Sequence, residues 1–476
     1  MKNIIVILTD TFRYDNLGDR AVRPVQTPEL DRFATERATS VEHFYMNSFP
    51  TIPHRTDFAT GVLGWPHYGW QSIDLSSPNH ISRILSQQGF ATQLICDCPH
   101  LFSARFNRGF DAAFQHRGQE GDLPVLHLND KIQEIVPLQK TRSHPNFNGH
   151  TLPNKHRWTN RYYGLESETF SAKTSETVVQ FLEENNRYNP FFLWVDFFDP
   201  HEPWDPPEYM VRRYDPHYDG PPMLHPNYGH SSSYTEAELR NLWAHYAAEA
   251  ELVDRHIGRV LQKIDDLQLW ENSVVVVMAD HGISIGEHYR TGKSNIDPND
   301  KRFWPIYPEI GHVPFLIAGA GIPKNKSLDL IAQPIDLLPT LCDLAGVTPV
   351  LPQEIDGISF ANQIRNSLHQ HRDMAISGCH IKSPGSKPER ATTPFLITKE
   401  WGYAPVGEMG TPELYDLKND PLATNNIAAN GLEIISELHQ LFLGHLADHN
   451  APTDFINLWK LNAQTSNGSW ATDYED

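Results

Sequence analysis

Several apolar, β-branched runs in this chain end in a carboxylate or an imidazole. Ile4-Ile5-Val6-Ile7-Leu8 is followed by Thr9-Asp10, residues 92–96 by Asp97, residues 191–197 by Asp199-Pro200-His201, and residues 274–278 by Asp280-His281. Amphipathic stretches at 81–88 and 239–262 lie between them. Parallel strands need long crossovers, which helices supply, so this alternation predicts an α/β fold: a mostly parallel sheet sandwiched by helices. Ligands of such sheets bind beyond the carboxyl ends of the strands. One site drawing on Asp10, residues 97–100, residues 199–201 and Asp280-His281 is therefore expected.

A chain of 476 residues suits one large α/β domain with a smaller appendage. The catalytic domain is expected over 1–373, with His-, Pro-, Asn- and Arg-rich insertions at about 115–164 and 290–308. Near Met374 the pattern shortens to strand-like pieces at 394–399 and 413–417 and a helix-like segment at 432–447. That reads as a small α+β subdomain over 374–461, with 462–476 a flexible tail.

The formal charge of −20 argues against nucleic acid or an acidic membrane surface as a partner. No apolar run approaches the roughly 18–20 residues that span a bilayer. Met1 leads almost at once into the first core run, so a signal peptide would have to consume a strand, and the chain reads as cytoplasmic. Four scattered cysteines, Cys96, Cys98, Cys342 and Cys379, do not make a disulfide framework. Cys96-Asp97-Cys98 lacks a second pair to complete a metal site, which favours plain thiols there.

Asn47-Ser48-Phe49-Pro50-Thr51-Ile52-Pro53-His54-Arg55, followed by Ala59-Thr60-Gly61, resembles the nucleophile motif of the sulfatase family, Cys or Ser-x-Pro-x-Arg. Further ordered matches are Gly109-Phe110-Asp111, Asp199-Pro200-His201-Glu202-Pro203, Asp280-His281-Gly282, Gly286-Glu287-His288 and Glu413-Leu414-Tyr415-Asp416-Leu417 with Asn419-Asp420-Pro421. The chain thus resembles the sulfatase branch of the alkaline phosphatase superfamily over about 3–427. The resemblance implies an alkaline-phosphatase-like fold and one divalent metal ion held by Asp10, Thr51, Asp280 and His281. It makes Thr51 the nucleophile, Arg55 the holder of that nucleophile and of the developing anion, and His201 the group facing the leaving oxygen. Lys293 matches a basic residue downstream of Gly286-Glu287-His288. His312 stands where the family more often has arginine, either touching substrate or metal or simply packing.

The departures redirect the chemistry. A sulfatase oxidises its Cys or Ser to formylglycine, and threonine, with a methyl on Cβ, cannot become that aldehyde. Thr11 replaces the second Asp usual after the first; fewer hard carboxylates, together with His281, shift the preference from calcium toward manganese or zinc. Where sulfatases carry Lys-Trp-His, this chain has Cys98-Pro99-His100 after Asp97. His100 can keep the histidine's role, while Asp97 either binds a cationic or hydroxylated part of the substrate or caps a loop.

A metal-activated threonine suffices for phosphorus, as in related phosphodiesterases and phosphonate hydrolases. The leading expectation is a hydrolase of phosphodiesters, phosphonate monoesters or related phosphate esters, with Thr51 attacking and His201 or His100 protonating the leaving oxygen. The alternatives are a sulfatase lacking formylglycine and a non-catalytic binder of sugars or anions. The partner is a small anionic ester, with Trp65, Tyr68, Trp70, Trp204 and Trp304 available to stack on a sugar or aryl leaving group or to fill cores. The insertions offer surfaces for a homo-oligomer.

Overall fold

The first apolar run forms the strand Asn3–Thr9 (β1), every residue of it buried, at the middle of an eight-stranded sheet. The other strands are Thr39–Phe44 (β2), Ala91–Cys96 (β3), Ala112–Gln115 (β4), Phe191–Phe197 (β5), Ser273–Ala279 (β6), Phe315–Gly319 (β7) and Lys326–Ala332 (β8). Their order is β8-β2-β7-β6-β1-β5-β3-β4. Only β7 runs against its neighbours. β1, β5 and β6 are buried on both faces, which explains their high content of Val, Ile and Phe. The computed structural model of the chain describes residues 1–18, 20–73, 79–122, 129–137, 140–141, 150–297, 299–351, 353–379 and 392–460. Parts of the 115–164 insertion and the tail expected at 462–476 lie outside these.

Two groups of helices cover the sheet. Glu236–Asp266 (31 residues) packs against Pro28–Glu36 and Phe170–Asn185. It starts where Thr235 accepts from the Glu238 amide and Glu238 reaches back to the Thr235 amide, satisfying N–H groups that the first turn cannot pair internally. Thr51–Thr60, buried throughout, packs against Leu337–Ala345. It ends at Gly61 in the left-handed region, φ 68°, where a Cβ would press on Ile355.

Beyond residue 373 the expected strands and helix are present. Met374–Cys379, Phe395–Thr398, Trp401–Ala404 and Glu413–Asp416 form an antiparallel ladder. Helix Leu432–Asp448 closes it through Leu438, Phe442 and Leu446. This sheet is not self-contained: its fifth strand is Ser48–Phe49, paired in parallel with Gly378 and Cys379. The 290–308 segment is also tied in, Arg290–Gly292 pairing with Ser284–Ile285 and Gly229–His230, and Trp304–Pro305 with Thr392–Thr393. Among the described residues no helix is long and apolar enough to cross a membrane.

Candidate active site

The ends of β1 and β6 bring two carboxylates together. The Asp10 amide donates to the Phe197 carbonyl at 3.0 Å and the Asp280 amide to the Thr9 carbonyl at 3.1 Å, so the ladder holds both residues just past the last paired rungs. Thr51 is the first residue of its helix and is 2% exposed. Its hydroxyl donates to Asp10 Oδ2 at 3.2 Å. Thr11 has a left-handed φ of 66°, unusual for a β-branched residue and worth about 1–2 kcal/mol of strain. Its amide donates to Asp280 Oδ1 at 3.0 Å, its hydroxyl to Asp10 Oδ1 at 2.7 Å, and its carbonyl accepts from the Tyr246 hydroxyl at 3.0 Å, which together hold it there.

Arg55 lies one turn below Thr51, fully buried. Its Nε and Nη2 donate to the two oxygens of Asp196 at 2.8 and 2.9 Å. Nη2 also reaches Asp10 Oδ2 at 3.4 Å, and Nη1 donates to Asp280 Oδ2 at 2.6 Å and to the Thr51 carbonyl at 3.0 Å. A guanidinium has five N–H donors, and all five have protein acceptors. Arg55 therefore positions the Thr51 backbone and both carboxylates, with every N–H directed at a protein acceptor.

Asp10, Asp280 and His281 offer ligand atoms within 4.8 Å of one another, the one such group among the described residues. His281 Nδ1 donates to the Gly282 carbonyl at 3.0 Å, which turns Nε2 inward. That Nε2 is buried without a hydrogen-bond partner, 3.7 Å from both Asp10 Oδ1 and Asp280 Oδ2. Burial first, then Lys293, lowers the His281 pKa to about 3, so the ring is the neutral imidazole a metal requires. Burial and the neighbouring Asp10 push Asp280 well above the usual carboxylate range. Burial would raise Asp10 too, but His201, His281, Lys293 and Arg55 hold it well below that range. An orphaned imidazole nitrogen facing two crowded carboxylates fits a divalent cation, with the Thr51 oxygen alongside.

The remaining expected residues divide into two sets. Lys293 reaches the centre, donating to Thr11 Oγ1 at 2.9 Å and to Glu202 Oε2 at 3.3 Å, with Asp10 Oδ1 at 4.0 Å. His201 stacks on Phe198, centroids 4.1 Å apart, and its Nδ1 donates to the Glu202 carbonyl at 2.6 Å. His100 meets Trp70 and Phe198 edge-on at 4.9 and 5.6 Å. Burial and then His201 lower its pKa to about 4.

Asp97 and His312 are engaged by other parts of the chain. Asp97 is fully buried, accepting from the Phe198 amide at 2.5 Å and from the Thr174 hydroxyl at 2.8 Å; it caps the β3 end and joins it to β5. His312 stacks on Tyr14 at 3.7 Å and its Nε2 donates to the Glu42 carbonyl at 2.7 Å, which makes it packing. Of the aromatic residues considered for stacking, Trp65, Trp204 and Trp304 are core, and Tyr68 donates to Asp57. Only Trp70 is at the surface, 47% exposed. Sequence reasoning missed Asp196 and Glu202. The first had a signal, a lone carboxylate inside the otherwise apolar run 191–197.

Comparison with known proteins agrees with this architecture. Residues 2–347 match the family model described as Sulfatase. An arylsulfatase of Clostridium perfringens is 24% identical over 460 residues, covering 89% of this chain and 90% of the relative. Arylsulfatase K of Bos taurus is 25% identical, covering 92% and 80%. Among solved structures, the phosphonate monoester hydrolase of Agrobacterium radiobacter superposes with a TM-score of 0.71 at 19% identity, over 94% of this chain and 96% of that one.

Proposed function

The chain belongs to the sulfatase family, and we propose that it is a metal-dependent hydrolase of phosphodiesters, phosphonate monoesters or related phosphate esters that uses the Thr51 hydroxyl as its nucleophile. One observation carries this reading: Thr51 Oγ1 lies 3.2 Å from Asp10 Oδ2, beside the Asp10, Asp280 and His281 donor set. The relatives' names span sulfate and phosphonate esters, so the choice rests on what a threonine can do. A formylglycine releases sulfate by breaking a hemiacetal, whereas a threonine sulfate would need a second difficult attack at sulfur. A threonine phosphate ester is resolved by water in an ordinary second displacement.

Asp10, Asp280 and His281 would hold the cation, with manganese or zinc suiting two carboxylates and an imidazole better than calcium. Bound there, a divalent ion lowers the pKa of an adjacent hydroxyl and offsets charge on the ester. The chain's own residues supply the rest. Arg55 fixes the Thr51 carbonyl and both carboxylates, so the hydroxyl attacks from one set position. As Thr51 Oγ1 bonds to phosphorus its proton passes to Asp10 Oδ2, the acceptor it already faces, while the bond to the leaving oxygen breaks and His201, protonated on both nitrogens, gives that oxygen a proton from Nε2. His201 then takes a proton from the water that cleaves the phosphothreonine, and Asp10 returns its proton to the departing Thr51 oxygen. Lys293 stands beside the equatorial oxygens in place of the committed Arg55.

The nine-tenths-length similarity to an arylsulfatase favours a second reading, sulfate ester hydrolysis. Steady-state rates on matched p-nitrophenyl phosphate, phosphodiester, phosphonate and sulfate esters, with manganese- and zinc-loaded enzyme, separate the two. Preference for the diester or phosphonate is expected. Preference for sulfate overturns the phosphoryl reading, and silence on all four favours a non-catalytic binder.

A further inference from the structure

Glu202 is fully buried, yet three polar side chains converge on it. Its Oε1 accepts from the Tyr228 hydroxyl, and its Oε2 lies 3.3 Å from Lys293 Nζ and 3.7 Å from His201 Nδ1. Its main-chain carbonyl accepts the His201 Nδ1–H at 2.6 Å. A buried Lys–Glu pair roughly breaks even in stability against apolar side chains of the same volume, so folding alone gives little reason for it. Its location does give one. Lys293 bridges Glu202 and Thr11, whose hydroxyl is bonded to Asp10. With all five Arg55 donors committed to protein acceptors, Lys293 is the cation beside Asp10 that still has a donor to offer. Two of its three N–H groups go to Thr11 and Glu202.

We propose that Glu202 is a positioning residue for oxyanion binding: its carboxylate holds the Lys293 ammonium at the substrate oxygens, and its carbonyl, by accepting the His201 Nδ1–H, orients the ring so that Nε2 faces the leaving group. One residue thereby sets the spacing between the cation and the acid on either side of the transferred group. Burial would raise the Glu202 pKa, but His201, Lys293 and His225 hold it well below the carboxylate range, so it stays an anion throughout the working pH range. The inference rests on the catalytic reading only for the identity of the oxyanion.

The test uses metal-loaded full-length protein and inorganic phosphate as the probe, measured by calorimetry on wild type, Glu202→Gln, Lys293→Met and the double variant. Gln keeps the backbone carbonyl and loses only the charge. Each single change is expected to weaken phosphate binding about tenfold, with the double no weaker than either single. In turnover the loss should fall on KM more than on kcat, with the unfolding midpoint little moved. Wild-type affinity in Glu202→Gln, additive losses in the double variant, or no phosphate binding by wild type each overturn the proposal. If Glu202→Gln does not fold, Tyr228→Phe removes one bond to the same carboxylate; weaker phosphate binding supports the proposal and unchanged binding overturns it. Coupled binding losses in a protein that hydrolyses no ester would refute the proposed function and leave the Glu202 role standing. Ester hydrolysis with uncoupled losses would do the reverse.

Discussion

Arg55 and Asp196 form a two-point pair in the interior of the molecule, Nε to Oδ2 at 2.8 Å and Nη2 to Oδ1 at 2.9 Å, both side chains fully buried. Removing the guanidinium would strand Asp196 together with Asp10 and Asp280. Arg55→Ala is therefore expected to lose about 3–5 kcal/mol of stability, read from urea midpoints, because uncompensated buried charge is among the costliest defects. Stability within 1 kcal/mol of wild type would mean that the three carboxylates take up protons cheaply.

Thr51→Ala should lower kcat by about a thousandfold or more while leaving the circular dichroism spectrum and unfolding midpoint close to wild type. Full turnover in this variant would remove Thr51 as nucleophile. Mass spectrometry of wild type quenched during turnover of a phosphodiester should show phosphate on Thr51.

His281→Ala removes the orphaned Nε2 and should weaken manganese or zinc binding at least about tenfold, as measured by calorimetry. Wild type should gain thermal stability when either ion is added and lose it with chelator, whereas His281→Ala should respond to neither. An equal response in both would place the cation elsewhere.

Acid should destabilise the fold through buried histidines outside this centre. Burial, and then Arg83, lowers the His80 pKa to about 3, against an ordinary 6.5 when unfolded. Between those values the unfolded chain binds the extra proton. The stability linked to His80 is thus complete above pH 6.5 and lost as pH falls toward 3, at about 1 kcal/mol per pH unit near pH 5–6. His80 packs on Phe106 and Phe110 and its Nε2 has no partner, so His80→Phe should fold and show a shallower fall in stability from pH 7 to 5. An unchanged slope would mean that the ring is protonated in the native state.

Asp97→Asn should leave KM within about twofold of wild type, because the carboxylate contacts the Phe198 amide and Thr174 rather than the pocket. A large rise in KM would restore the substrate-binding role suggested by its place after β3.

The strands could be read from the sequence because residues buried on both faces are apolar along nearly their whole length, and β1, β5 and β6 are, Asp196 being the one charged residue among them. Strand ends then located Asp10, Asp280 and His281, since a polar residue directly after such a run has to face the site or be bonded. The fate of each polar group was less legible. Asp196 and Arg55 are far apart in the chain, and nothing local says that the carboxylate would take two of the guanidinium's donors. The same holds for Asp97 and His312, whose partners Thr174 and Glu42 come from distant elements. Trp65, Trp204 and Trp304 were left between pocket and core because aromatic content alone does not distinguish the two; burial places them in the core.

The strand Ser48–Phe49 pairs with Gly378 and Cys379 two residues before the helix that begins at Thr51. A chain cut after residue 373 would leave Ser48–Phe49 without its neighbouring strand, just ahead of the helix that sets where the Thr51 hydroxyl stands. By the same connection, anything that clamps or loosens the terminal sheet has mechanical leverage on the rate without entering the pocket.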